Sequence, residues 1–282
     1  MELRGKPVAD QITAQVKQDV QALQEKGVWP KLTIIRVGEK PDDLSYERVA
    51  CSRMQQCGIL TEEIALAADC SQETFIAALQ EKNNDPSVHG ILLLRPLPPA
   101  LSGMEEMLAP QKDVDCATAT ALGRMFAEDP GAFAPCTAQA VMEMLAYYEV
   151  PLRGMDVTVI GASLVVGKPL SELLTTADAT VTTCHLQTRD VAKHTRQADI
   201  VISAAGCPGL IQPDMLRRGV VVIDVGINVR ADGSICGDAN FLSCEQVASK
   251  ITPVPGGVGS VTTSVLAKHV VQAAWQNSFP TK

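Results

Sequence analysis

Two α/β domains, the second built on a doubly wound parallel sheet, are what this sequence predicts, and three observations carry the prediction. Apolar, β-rich runs alternate with helix-period segments along most of the chain. A length of 282 residues exceeds what one hydrophobic core usually serves. In the second half, strand-like runs end in glycine at Gly161, Gly206 and Gly226, which leaves room for a ligand at the carboxyl ends of a parallel sheet.

Helical periodicity runs from Val8 to Lys26, and the β-rich stretch from Leu32 to Val37 follows it and stops at Gly38. A helix from Asp43 to Cys57 closes at Gly58, and another spans Ser71 to Lys82. The run from Gly90 to Leu94 makes a buried strand before Pro96 and Pro98. Pro135, Cys136 and Thr137 open a helix to Tyr148 that bridges into the second half. From there strands at 157–160, 180–184, 200–204 and 220–225 alternate with helices, a Rossmann-like order. The helix from Thr262 to Gln276 comes too late for that sheet and is expected to pack on the first domain, its apolar residues serving as core. The expected division is therefore 1–140, completed by 260–282, and 141–259.

Composition removes several classes of function. A net charge of -8 without a basic cluster argues against nucleic acid, since phosphate binding needs concentrated Lys and Arg. No apolar run is long enough to span a membrane, and the Met-Glu-Leu-Arg-Gly-Lys start is unlike a signal peptide, so a cytoplasmic protein is expected. Nine cysteines without a C-x-x-C pair, and four scattered histidines, signal neither a disulfide framework nor a metal site. Small molecules are the expected partners.

Two loops invite ligands. Thr252-Pro-Val-Pro-Gly-Gly-Val-Gly259 joins two prolines, which fix φ, to three glycines, which allow close backbone approach. Such a strip either borders a flat ring or turns the chain tightly into the last helix. Gly161-Ala-Ser-Leu-Val-Val-Gly-Lys-Pro169 follows a strand and enters a helix, so its amides either hold a pyrophosphate or form a structural turn. It lacks the G-x-G-x-x-G spacing, and His185 and Leu186 stand where an NAD-binding fold often places an acid.

These loops, taken with the Ala198–Gly206 and Val222–Asn228 runs, Gly237-Asp238, Gly90–Pro98, Lys112–Asp115 and Pro135–Thr137, closely resemble the methylenetetrahydrofolate dehydrogenase/cyclohydrolase family in order and spacing. The resemblance implies oxidation of 5,10-methylene- to 5,10-methenyltetrahydrofolate with NADP or NAD, then hydrolysis to the 10-formyl compound. It also implies a homodimer, with the folate cleft between two domains. Tyr46 matches the family tyrosine beside the reacting folate, and Asp115 the aspartate that holds the pterin, where a carboxylate accepts charge-assisted bonds from amino and ring N–H groups. A core-packing Tyr46 and a helix-capping Asp115 are the structural alternatives. Pro253, Pro255, Gly256 and Gly257 are implied to border the folate ring. Gly161, Ala162, Ser163, Val166, Gly167, Ala205, Gly206 and Ile227 are implied to meet the cofactor.

The pattern breaks at the family's hydrolytic centre. The family lysine one turn after the tyrosine is Ala50 here, and the glutamine that contacts it is Leu94. Arg53 shares the helical face of Ala50 but stays protonated near neutrality, so it cannot act as a base. Arg95 is expected on the opposite strand face from Leu94. Hydride transfer requires mainly alignment, whereas water attack needs a positioned acid or base worth roughly 100- to 10,000-fold. The expectation is a dehydrogenase with weak or lost cyclohydrolase activity, against a bifunctional enzyme with an altered centre or a non-catalytic binding paralogue. Cys116, Ala138, Ser260 and Val261 also depart from the family pattern and alter the pocket wall. Ala162 and Leu186 replace residues that family members place near the ribose phosphate, leaving Arg189 as a substitute cation or a solvated one.

Overall fold

The computed structural model of the protein describes residues 1–279. Two compact units divide it, Met1–Asp10 with Thr137–Thr262 and Gln11–Cys136 with the segment from Thr263. The last three residues of the expected 260–282 segment lie outside the described residues.

The unit that contains Gln11–Cys136 runs through α1 (Gly5–Glu25, from Gln11), β1 (Lys31–Val37), α2 (Pro41–Cys57), β2 (Leu60–Leu66), α3 (Gln72–Asn84), β3 (Gly90–Leu93) and α4 (Ala119–Phe126). Its parallel sheet has the order β2-β1-β3. The central strand is covered on both faces, so Leu32, Thr33, Ile34 and Ile35 are wholly buried, which is why the run is rich in Leu and Ile rather than alternating apolar with charged residues. Phe75 and Leu79 of α3 pack with Ile35, Ile91 and Leu93. α2 begins with Pro41 and has Asp42 and Asp43 in its first turn, where the helix dipole favours acids. It stops at Gly58, whose φ of 78° is the left-handed conformation of a helix-ending glycine.

β2 and α4 have no counterpart in the sequence reading. β2 is an edge strand whose Glu62 is held by Lys31 and Lys82, each at 2.7 Å, so its charges belong to sheet edge rather than loop. α4 is short and starts where the Thr118 hydroxyl accepts the Ala121 amide, a cap that sequence spacing alone does not separate from a turn.

The other unit contains α5 (Cys136–Tyr147, from its second residue), β4 (Asp156–Ile160), α6 (Gly167–Thr176), β5 (Thr180–Cys184), α7 (Val191–Thr195), β6 (Ile200–Ser203) and β7 (Val221–Asp224). The short β8 (Asn228–Val229) and β9 (Ile235–Cys236) form an antiparallel pair, and α8 (Phe241–Cys244) and β10 (Lys250–Ile251) follow. The five-stranded parallel sheet has the order β10-β7-β6-β4-β5. The chain steps outward from β4 to β5 and then returns to β6, so its switch point lies between β4 and β6. The turns after those strands touch: Gly161 has a φ of 121°, and a Cβ there would run into the Ala204 carbonyl.

The first ten residues pack with this unit, whereas the sequence division assigns them to the other. The reason is a backbone ladder: Leu3 donates to Ile251 at 2.8 Å, and Ile251 donates to Met1 at 3.0 Å. Three extended residues carry no periodicity that would announce this. The final helix, α9 (Thr262–Ser278), belongs from Thr263 to the unit of Gln11–Cys136. There Gly90 admits α9, since a Cβ on it would press on the side chains of Val114 and Val270. Among the described residues no helix is long and apolar enough to cross a membrane.

Candidate functional site

In the unit of Gln11–Cys136, the turn 113–118 presents Asp115. Buried Asp113 folds that turn by accepting the amides of Ala117 at 2.8 Å and Thr118 at 2.9 Å, and the Thr118 hydroxyl at 2.9 Å. Asp115 is partly buried and its Oδ1 accepts the amide of Cys136, the first residue of α5, at 3.2 Å. The capping alternative thus describes one of its oxygens, Oδ1, while Oδ2 faces Arg95. Burial raises the Asp115 pKa, against which the Cys136 thiol and the Arg95 guanidinium pull it down.

Tyr46, on α2, is half-buried and senses both Asp115 and Cys136. Its phenol is pushed well above its ordinary pKa, first by burial and then by those two groups, so it stays a neutral hydrogen-bonding group. The Cys136 thiol is also raised by burial and by Asp115, and Cys116 is pushed up to about 12 by burial and by the charges of Asp113 and Asp115. Neither thiol is a base near neutrality. His269 of α9 donates from Nδ1 to the Val114 carbonyl at 2.9 Å and lies 3.7 Å from Cys136 Sγ.

The two side chains at which the sequence resemblance breaks are built into the core: Ala50 is fully buried and Leu94 nearly so. Arg53 does not turn toward that space, because its guanidinium donates to Thr13 at 3.0 Å and Gln56 at 2.8 Å. Arg95, discounted on strand alternation, instead reaches the Asp115 turn. Its Nη2 lies 3.9 Å from Asp115 Oδ2 and its Nη1 donates to the Ala117 carbonyl at 3.2 Å. Alternation fails for it because β3 ends at Leu93, two residues earlier.

In the other unit the Gly161–Pro169 loop enters α6 at the switch point. Gly167 lies so close to Gly161 that a Cβ would overlap the Gly161 carbonyl, and the Ser163 hydroxyl accepts the Val166 amide at 3.1 Å. Ala162 and Val166 are partly exposed, with Ser163, Leu164 and Val165 open to solvent. This cradle of bare backbone at a parallel strand's carboxyl end fits the phosphates of a dinucleotide. Leu186 is fully exposed just beyond β5, beside His185 and near exposed Arg189.

Ala205 and Gly206 are exposed at the turn after β6, yet their amides point inward to a residue that sequence reasoning gave no role. Fully buried Asp238 takes the Ser203 hydroxyl and Ala205 amide at 2.8 Å and the Gly206 amide at 3.3 Å on one oxygen. Its other oxygen takes the Cys207 amide at 2.8 Å and the Asn228 side-chain amide at 3.0 Å. Asp224 in turn accepts the amides of Gly226 and Asp238 at 3.0 Å and of Ala239 at 2.8 Å. Glycine is required at 226 and 237 because a Cβ at either would collide with the Asp238 or Asp224 carboxylate. The signal available in the sequence was the pairing of each acid with a neighbouring glycine, in Asp224-Val-Gly226 and Gly237-Asp238.

Burial, with Asp238 adding, raises Asp224 to about 6 against the pull of its amide donors. An acid whose folded pKa is raised destabilises the fold while ionised, so this penalty is full above about 6 and fades as pH falls toward the unfolded value near 3.8. It amounts to on the order of 3 kcal/mol. Carbon-detected NMR of the Asp224 carboxyl is expected to show a midpoint near 6; a midpoint at an ordinary aspartate value would contradict this account.

The proline and glycine strip and Ile227 line one cavity of about 240 Å³, together with Asp224 to Gly226, Ile235 and Val258 to Ser260. Its volume suits ring-sized groups rather than a whole dinucleotide. The strip is also anchored to the N-terminal segment, since Gly5 donates to the Gly256 carbonyl at 2.8 Å. The structure therefore brings Pro253, Pro255, Gly256, Gly257 and Ile227 together. Tyr46 and Asp115 come together within the unit of Gln11–Cys136.

Comparison with known proteins gives a consistent result. Residues 3–115 match the family model described as tetrahydrofolate dehydrogenase/cyclohydrolase, catalytic domain, and residues 135–278 match its NAD(P)-binding domain. The chain is 47% identical over 278 residues to a bifunctional protein FolD of Alkaliphilus metalliredigens, covering 98% of each chain. It is 48% identical over 273 residues to a FolD of Clostridioides difficile, covering 96% of this chain and 95% of the relative. The solved FolD dehydrogenase/cyclohydrolase of Campylobacter jejuni superposes with a TM-score of 0.95 at 38% identity, covering 97% of this chain and 98% of that one. The Trypanosoma brucei enzyme, solved with NADP and an inhibitor, gives 0.92 at 33% identity, covering 99% and 98%.

Proposed function

From the premise that this chain belongs to the tetrahydrofolate dehydrogenase/cyclohydrolase family, we propose that it oxidises 5,10-methylene- to 5,10-methenyltetrahydrofolate with NADP or NAD and has little or no cyclohydrolase activity. The observation that carries this reading is a contrast. Tyr46 and Asp115 stand together with their surrounding turn intact, while Ala50 and Leu94, which the resemblance aligns with the family's lysine and glutamine, are buried apolar side chains.

Asp115 accepts the pterin's amino and ring N–H groups, and Tyr46 lies beside the reacting carbon as a neutral phenol. Pro253 to Gly257 would border a ring with bare backbone, and Ile227, which lines the same cavity, would pack against the cofactor. Gly161 to Ser163, with Val166 and Gly167, hold the phosphates, and Ala205 and Gly206 offer a cofactor-facing turn held from behind by Asp238. When bound, the cofactor supplies the hydride acceptor. Adjacent folate nitrogens stabilise the cation left behind, so the protein's task in this step is alignment. Hydrolysis differs, because attack and collapse move protons. Tyr46, Cys116 and Cys136 keep theirs near neutrality, and Arg95 does not release its own. The family resemblance further supports action as a homodimer in the cytoplasm.

Purified protein given 5,10-methylenetetrahydrofolate and NADP or NAD is expected to form reduced cofactor at an enzymatic rate. Ligand binding without turnover with either cofactor would defeat the proposal and favour a binding paralogue.

A further inference from the structure

We propose that Arg95 is a positioning residue for Asp115, its guanidinium supplying the fixed positive charge of this site and aiming the carboxylate that meets the pterin. The inference rests on the substrate role proposed above for Asp115.

The two oxygens of Asp115 are engaged from different sides. The Cys136 amide holds Oδ1 at 3.2 Å, and Arg95 Nη2 faces Oδ2 at 3.9 Å. Arg95 is itself tied down, since its Nη1 donates to the Ala117 carbonyl at 3.2 Å, two residues past the acid it faces. A planar guanidinium gripping one turn at two points holds its charge in place better than a flexible ammonium would. Its side chain is 27% exposed and that of Asp115 25%, so the pair is only partly screened.

The groups around Asp115 make this cation matter. Tyr46 faces it from α2, Asp113 and Cys116 from its own turn, and Cys136 from α5, with His269 of α9 bonded to the adjoining Val114 carbonyl. Burial and the charge of Asp113 push Asp115 toward its protonated form, which would turn an acceptor of pterin N–H groups into a donor. Arg95 opposes that, its charge pulling the Asp115 pKa down. Where the resemblance implies a lysine on the helix and Ala50 stands instead, a positive charge still reaches the Asp115 turn, from just beyond β3. It arrives on a group that provides charge without carrying protons, which is the division of labour a dehydrogenase lacking hydrolysis requires.

The test is Arg95→Gln, which keeps a donor for the Ala117 carbonyl and removes the charge, beside Arg95→Lys, which keeps the charge and loses the fork. Carboxyl NMR of Asp115 in the full chain is expected to show a midpoint raised by about one unit or more in Arg95→Gln, with Arg95→Lys between it and wild type. The acid limb of kcat/KM for 5,10-methylenetetrahydrofolate moves up by the same amount. The KM for that folate rises by up to about tenfold at pH values below the wild-type Asp115 midpoint and by less above it, while the KM for NADP or NAD does not change. An Asp115 midpoint equal in wild type and Arg95→Gln overturns the proposal. If the glutamine variant does not fold, the absence of any rise in Arg95→Lys overturns it instead. The titration reads the contact without turnover, so an inactive wild-type protein defeats the proposed function and leaves this inference to be decided on its own.

Discussion

Asp115→Ala is expected to lower kcat/KM for 5,10-methylenetetrahydrofolate by roughly 100- to 10,000-fold. Two hydrogen bonds to a charged acceptor are worth about 1.5 to 3 kcal/mol each, and each 1.4 kcal/mol is a factor of ten. The loss falls on the folate: the KM for NADP or NAD is expected to stay within about twofold, because the segments proposed to bind the cofactor belong to the other unit. Unfolding free energy drops by only about 1 to 3 kcal/mol, the cost of leaving the Cys136 amide without its acceptor. Steady-state kinetics with each substrate varied, beside urea unfolding, separate the two effects. A kcat/KM within about threefold of wild type would remove Asp115 from the substrate site.

Asp238→Ala is expected to destabilise the protein by at least about 3 kcal/mol, because the carboxylate collects five donors and two of them, the Ser203 hydroxyl and the Asn228 amide, are buried. Exposed Ala205 and Gly206 find water and moderate the loss. Removing this charge also relieves Asp224, so the Asp224 midpoint near 6 moves down in a variant that still folds. Urea unfolding and carboxyl titration measure the two consequences independently. A loss under about 1 kcal/mol would mean that the turn after β6 is held by something else.

What could be read in advance follows the range of the interactions involved. The order of strands and helices was legible because it rests on local period and on glycines such as Gly58 and Gly161 whose φ values no other residue adopts easily. β2 was not, because its Glu62 is accommodated by Lys31 and Lys82, from elsewhere in the chain. The N-terminal ladder pairs residues almost the full chain apart. The same limit governs the site. Tyr46, Asp115 and the two loops stood out through their pattern, whereas Asp238 acts on amides about thirty residues away and Arg95 became visible only once β3 was seen to stop at Leu93. Arg53 shows the converse: helical spacing put it on the right face, and a bond to Thr13 of another helix turned it aside.

The central claim is that this site aligns two reactants without owning a group that moves protons for water attack. The most direct measurement follows both steps in one sample of purified protein given 5,10-methylenetetrahydrofolate and NADP or NAD. The account predicts that reduced cofactor and methenyltetrahydrofolate build up together and that the methenyl compound then decays no faster than in buffer. Formation of 10-formyltetrahydrofolate in step with reduced cofactor would contradict it.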